Sequence, residues 1–332
     1  MLHSAAKSNG TYTKLARDFG SNPNVYPQAD LRVQLPAGKG YNFAHLVKRK
    51  AFNRFRCKQQ MAKSKSPSSA GHYDANYGNF QTRLYEEIRH EAFGEDIGQN
   101  SWLTADEQDR FLPWLKLTRG KVLLDVACGA GGPALRIAAI SGCSAVGIDM
   151  NDDAIAAAKS LSDKCRLSDR VQFQIGDATR PLLFPDCSFD AITCIDAINH
   201  FPERRRVVAD WARLLKPGGR LLFTDPITVT GPLSNAETAI RSSAGFYLFA
   251  PHGYDEAVIV QCGLRLLACE DVTGNVAKTA KARHAARDLR SVDLREIEGG
   301  QAYERQQEFL AAAARLASEG RLSRFVYVSQ KT

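Results

Sequence analysis

The chain has 332 residues, of which 44% are apolar and 24% charged, the balance of a globular protein with a substantial core. No run approaches the roughly 20 apolar residues that span a bilayer, and residues 1–10 lack the apolar stretch of a secretory signal. The formal net charge of +8 is uneven. Residues 1–70 hold 13 Lys/Arg and 2 Asp/Glu, and the remainder is close to neutral, so the body exerts no global pull on nucleic acid.

Residues 1–70 are rich in Ser, Asn, Gly, Pro and basic residues without sustained periodicity. They are expected to form a disordered basic extension. The run from Lys48 to Lys65, interleaved with Phe52 and Phe55, also fits an arm for nucleic acid or a membrane surface. Met61 opens a sequence like an ordinary protein start, so residues 1–60 are expected to be dispensable. Eight cysteines are present (Cys57, Cys128, Cys143, Cys165, Cys187, Cys194, Cys262 and Cys269) and none forms a CxxC pair. Neither a disulfide framework nor a metal site is expected, and the reading is reduced thiols in a cytoplasmic protein.

From residue 71 to 120 the pattern is helical, with Leu84, Ile88, Ala92 and Phe93 on one face. A second helix is predicted from Thr104, with Glu107 completing a capping box. Strands and helices then alternate, which argues for parallel strands with crossover helices. The strands predicted are Lys121–Ala127, Ser144–Ile148, Val171–Ile175 as a half-polar edge, Phe189–Ile195 and Arg220–Thr224. Pro133 suits the first turn of one helix, Asn151 caps the next, and another runs from Glu203 to Leu215. Ser234 and Glu237 form a further capping box. Leu264–Val272 and Arg324–Ser329 read as two more strands, separated by a helical stretch over residues 275–319.

The strand, turn and helix at Val122–Ala138 carry the strongest chemical signal. Asp125-Val126-Ala127-Cys128-Gly129-Ala130-Gly131-Gly132-Pro133 combines glycines, which let a ligand approach the backbone, with a helix N-terminus offering free N–H groups. Asp149 ends the next strand about 20 residues on, where a carboxylate accepts ribose hydroxyls. A nucleoside cofactor follows. The G-x-G-x-x-G spacing of dinucleotide sites is not met, and Asp125 suits a ligand carrying an ammonium and a sulfonium better than a pyrophosphate.

On these residues the chain resembles class I S-adenosylmethionine-dependent methyltransferases, especially the sarcosine/dimethylglycine, phosphoethanolamine and ubiquinone-biosynthesis groups. The resemblance covers about residues 73–332. It rests on Val122–Gly131 as the cofactor loop, Gly147-Ile148-Asp149-Met150, Gly176-Asp177-Ala178, Phe189-Asp190 through Asp196, and Leu215-Lys216-Pro217-Gly218-Gly219. It implies an α/β, Rossmann-like sheet of seven mostly parallel strands with the last antiparallel. It also implies a helical N-terminal cap, a methyltransferase domain over 121–332, and substrate-capping segments at about 233–255 and 275–319. Asp125, Ala127, Gly129 and Gly131 would hold the methionine end, Asp149 the ribose, and Asp177 and Ala178 the adenine edge. Met150 would pack on the adenine ring, and Asp196 would line the channel where cofactor meets substrate. Ala127 departs from the family, which usually has glycine there.

In-line positioning supplies much of the rate of methyl transfer, and a base is needed only where the nucleophile loses a proton. His200 is the candidate base, with a structural loop role as its alternative. Among the aromatics, Tyr77, Trp102 and Tyr247 are candidates for a small-molecule acceptor pocket, as are Tyr73, Tyr85, Phe246 and Phe249, with core packing the alternative for at least half of them. A nucleic-acid or protein methyltransferase using the basic arm, and a nicotinamide-dependent oxidoreductase, are the competing readings. The Asp/Asn-Pro-Pro-aromatic motif of amino-methylating nucleic-acid enzymes is replaced here by Asp196-Ala197-Ile198-Asn199.

Overall fold

In the computed structural model, residues 76–332 are described. The expected basic extension over 1–70, with its Met61 boundary and Cys57, lies outside the described residues, as does Tyr73. The apolar runs become seven strands: β1 (Val122–Val126), β2 (Ser144–Asp149), β3 (Val171–Ile175), β4 (Phe189–Cys194), β5 (Leu215–Val229), β6 (Leu264–Asp271) and β7 (Leu322–Lys331). Their order across the sheet is β3-β2-β1-β4-β5-β7-β6. Strands β1 to β5 pair in parallel, and β7 runs antiparallel between β5 and β6. β1 is buried along its whole length, as a strand covered by helices on both faces must be. β3 is an edge, with Val171 and Phe173 buried and Gln172 exposed.

The sheet order reverses between β1 and β4, which opens a crevice at their carboxyl ends. Helices α1 (Arg83–Phe93), α2 (Ala105–Leu115), α3 (Gly132–Ser141), α4 (Asp152–Lys164) and α5 (Arg204–Leu214) precede β5 in the chain. After it come α6 (Asn235–Arg241), α7 (Tyr254–Gln261), α8 (Thr273–Asp288), α9 (Ser291–Glu298) and α10 (Gly300–Ser318). The 275–319 stretch is therefore three helices. They pack against the N-terminal ones: Tyr85 and Ile88 of α1 share a buried cluster with Ala286, Leu294 and Tyr303. Trp102 shares another with Val276, Ala280, Phe309 and Leu310.

Strand β5 is longer than predicted. The added residues include Pro217 and Pro226, which cannot donate to a ladder. Both prolines sit at irregularities that absorb them. The pairing with β4 shifts between Phe189 and Ala191, opposite Leu215 and Arg220. The pairing with β7 shifts between Asp225 and Thr228, the signature of a bulge. A second correction concerns α2. The Thr104 hydroxyl accepts from Glu107 N as predicted, but the Glu107 carboxylate goes to Arg324 Nη1 at 2.7 Å. The reciprocal half of that capping box is replaced by a buried ion pair. At Ser234 and Glu237 both halves form, and Asn151 caps α4 by accepting from Ala154 N.

Candidate active site

The turn after β1 is built on left-handed backbone. Ala127 has φ +54°, Gly129 +53° and Gly131 +79°, so the chain reverses sharply into α3 and aims that helix's first N–H groups at the crevice. Gly131 tolerates only hydrogen, since a Cβ there would lie 2.5 Å from the Phe173 ring. A Cβ on Gly129 would lie 2.5 Å from the Tyr77 hydroxyl. Ala127 occupies a conformation that L-residues other than Asn and Asp rarely adopt. The family's usual glycine at this position has its physical reason there.

Asp149, at the end of β2, fastens this turn. Its Oδ2 accepts from Gly129 N at 2.9 Å and its Oδ1 from Asn151 N at 2.9 Å. Burial raises its pKa, and the backbone N–H groups of Asn151, Gly129 and Met150 oppose that rise. On β1, the buried Asp125 accepts from Thr193 Oγ1 at 2.7 Å. Burial pushes its carboxyl up to about 7. Met150 is 72% exposed at the tip of β2. Beside it Gly176 N donates to Asp149 O at 2.9 Å. The Asp177 carboxylate turns back to Thr179 N and Oγ1. The structure thus gathers Asp125, Ala127, Gly129, Gly131, Asp149, Met150, Asp177 and Ala178 along the carboxyl ends of three adjacent strands.

Asp196, past the end of β4, is also left-handed, with φ +53°. Its carboxylate is not turned to the crevice. Oδ1 accepts from Arg324 Nε at 2.6 Å and from Thr224 Oγ1 at 2.7 Å, and Oδ2 accepts from Trp102 N at 2.8 Å. The side chain is 4% exposed, so what Asp196 offers the cleft is backbone. Arg324, Glu107 and Thr224 are the partners that sequence reasoning missed. The pairing of Glu107 and Arg324 crosses 217 positions of the chain, and no local pattern signals it.

His200 closes a short 3-10 turn, Ile198–His200. Its Nδ1 lies 3.0 Å from Phe246 O. A carbonyl only accepts, so Nδ1 carries the proton and the neutral ring has its lone pair on Nε2. Burial lowers the His200 pKa. The Tyr247 ring stands beside it, centroids 4.7 Å apart, and Leu248 N donates to Asn199 O at 2.8 Å. The three aromatic candidates part company. Tyr247 joins His200, whereas Tyr77 lies over the Gly129 turn, hydrogen-bonded to Asn100. Trp102 is buried against Phe309 with Arg241 and Arg283 over its ring. A second buried ion cluster, Arg204 with Asp225 and Asp255 at 2.7 and 2.8 Å, anchors the carboxyl end of β5.

A glycine cradle at a helix N-terminus, a strand-end carboxylate tied to it, and the strand order of a sheet reversing between β1 and β4 define a Rossmann-like nucleoside-cofactor protein. The donor set fits S-adenosylmethionine, with hydrogen-only space at Gly129 and Gly131 and a buried acid behind them. A family model described as a methyltransferase domain matches residues 124–223. The 27-O-demethylrifamycin SV methyltransferase of Amycolatopsis mediterranei is 30% identical over 234 residues, covering 69% of this chain and 85% of its own. Several other curated relatives are matched over less than two thirds of their length. Among solved structures, a putative sarcosine dimethylglycine methyltransferase from Galdieria sulphuraria superposes with TM-score 0.68 at 20% identity, over 79% of this chain and 98% of that one. The phosphoethanolamine N-methyltransferase 2 of Haemonchus contortus, solved with S-adenosyl-L-methionine, gives TM-score 0.64 at 19% identity, over 77% and 59%. The chain belongs to the S-adenosylmethionine-dependent methyltransferases, and S-adenosylmethionine is its cofactor.

Proposed function

We propose that the chain methylates a small-molecule acceptor whose nucleophilic atom gives up a proton, with His200 as the base. The observation that carries this reading is the Phe246 carbonyl on His200 Nδ1, which holds the ring in the tautomer whose Nε2 accepts. Burial keeps that ring neutral, as a base must be before the step. The rifamycin relative acts, by its name, on a small molecule.

When bound, the cofactor supplies a methyl group already activated on a sulfonium. Every other contribution falls to the chain's own residues. Asp149 would hold the ribose, and Asp125 with the Ala127, Gly129 and Gly131 turn would hold the methionine end. Asp177, Ala178 and Met150 would flank the adenine. Tyr77, placed over the Gly129 turn, would shield that end from water. Tyr247 would shape the acceptor side beside His200, and Trp102 the wall beneath α8 and α10. Asp196 acts through its fixed backbone, which sets the path of the 196–200 segment. In-line alignment of acceptor and methyl within about 3–3.5 Å would supply much of the rate.

The same proposal places the protein in the cytoplasm. Its support is that the described cysteines are all free thiols, the state kept by a reducing compartment. No helix among the described residues is long and apolar enough to cross a membrane.

The test is incubation of the protein with S-adenosylmethionine and a fractionated metabolite extract, followed by mass spectrometry. One compound gaining a methyl group, with wild type and at a far lower rate with His200→Gln, is the expected result. Methyl transfer to RNA or protein in place of any small molecule would overturn the reading. So would stabilisation by NAD(H) but not by adenosylhomocysteine.

A further inference from the structure

Helix α7 and edge strand β6 bring together side chains that the methyl-transfer site does not use. Glu256 stands in the first turn of α7, His252 four residues before it, and Cys269 on β6. Glu256 Oε1 lies 3.5 Å from Cys269 Sγ and 3.7 Å from His252 Nε2. One ligand atom from each residue lies within 4.8 Å of the other two. We propose that His252, Glu256 and Cys269 bind a single divalent cation of the zinc class, with a fourth position left to water.

The geometry suits that ion. Bonds of about 2.0–2.3 Å in a tetrahedral set place ligand atoms about 3.3–3.7 Å apart. The sulfur–oxygen separation already has the spacing that zinc imposes, and the nitrogen–oxygen separation is a few tenths of an ångström longer. The donors are an imidazole, a thiol and a carboxylate, a combination that favours zinc over the hard, oxygen-seeking magnesium and calcium. A second observation points the same way. Glu256 Oε2, the second oxygen of the carboxylate whose Oε1 faces His252 and Cys269, is buried without a hydrogen-bond partner, a costly state that a cation held by both oxygens would relieve. His252 is half exposed, which gives an ion a path from solvent. Its ring is braced edge-on by Phe325 at 4.7 Å.

The surroundings are acidic. Burial first, then Glu256, Asp255 and Asp271, push the Cys269 thiol up to about 12. Asp255 is itself paired to Arg204. On binding, the Cys269 S–H bond breaks, its proton leaves to water and a sulfur–metal bond forms, with no change in oxidation state. The ion would fasten α7 to β6, the edge of the sheet. The cysteine spacing gave no expectation of such a site, because its ligands come from a turn, a helix and a strand.

The test uses the full chain, stripped with a chelator and titrated with cobalt(II) as the probe, then with zinc in competition. One equivalent should bind, with a thiolate-to-cobalt charge-transfer band and tetrahedral visible bands, and zinc should displace it. The band should vanish in Cys269→Ser and persist in Cys165→Ser and Cys187→Ser, whose thiols are exposed. His252→Ala, at a half-exposed position that leaves the fold intact, should weaken binding roughly tenfold or more. A wild type without the charge-transfer band, a band that survives Cys269→Ser, or unchanged affinity in His252→Ala would each overturn the proposal.

Discussion

Arg324 and Asp196 meet inside the protein, Nε to Oδ1 at 2.6 Å, with side chains 0% and 4% exposed. The same guanidinium holds Glu107 at 2.7 Å. One cation from β7 thus locks the segment after β4 to the first turn of α2. The Asp196 amide donates to Thr224 Oγ1 at 2.7 Å, so backbone and carboxylate are both fixed. Removing one member of a buried pair leaves an uncompensated charge and costs about 3–5 kcal/mol. Arg324→Met should lose stability on that scale in urea unfolding. Arg324→Met combined with Glu107→Gln should recover part of it, since one stranded carboxylate is then gone. A loss below about 1 kcal/mol in the single variant would show that the network does not brace the fold.

Ala127 offers a test of backbone strain. At φ +54° an alanine costs about 1–2 kcal/mol relative to right-handed backbone, and glycine avoids that cost while losing more chain entropy on folding. Ala127→Gly should leave the unfolding midpoint unchanged or slightly raised. Ala127→Val, β-branched in the left-handed region, should lower stability by about 1–3 kcal/mol. Equal midpoints for glycine and valine would contradict the strained turn.

Asp125 links cofactor binding to pH. Its carboxyl is raised to about 7, chiefly by burial, so below pH 7 the free protein carries it mostly protonated. An ammonium-bearing ligand favours the ionised form, and binding therefore releases a proton. Affinity for adenosylhomocysteine should rise from pH 6 to pH 8, by roughly tenfold at most, and level off above pH 7. Asp125→Asn should bind more weakly and without that slope. Calorimetry in two buffers of different ionisation enthalpy would report the released proton, and its absence would remove Asp125 from the methionine end.

His200 makes a kinetic prediction once an acceptor is found. His200→Gln should slow the chemical step by roughly 10²–10⁴-fold while sparing cofactor affinity. The His200 pKa is lowered by burial, so the base form persists below pH 6.5, and the wild-type rate should fall only when the pH drops past that point. The variant should lack this acid limb. Superimposable single-turnover profiles would reduce His200 to a residue that fastens Phe246.

The strand, turn and helix of the candidate cofactor side were legible in the sequence because their signals are local. An apolar run, a glycine turn, Pro133 and an acid at the end of the following strand mark β1, α3 and Asp149 without reference to distant chain. The extent of β5 was not legible, because Pro217 and Pro226 cannot donate to a ladder and only the irregular pairing with β4 and β7 accommodates them. The role of Glu107 was misread for a related reason. Its spacing from Thr104 satisfies a capping box, and only the fold brings Arg324 close enough to compete. Asp196 suffered the same ambiguity, since a carboxylate at a strand end reads alike whether it faces the cleft or the core.

The ribose contact of Asp149 fixes where the cofactor lies. Its carboxylate already accepts from Gly129 N and Asn151 N, and the ribose hydroxyls would be further donors to it. Calorimetric titration of adenosylhomocysteine into wild type, Asp149→Asn and Asp149→Ala measures this directly. Asp149→Ala, folded by circular dichroism, should bind more weakly by about 1.5–3 kcal/mol, with Asp149→Asn between the two. Equal affinity in wild type and Asp149→Ala would contradict the placement of the cofactor at this strand end.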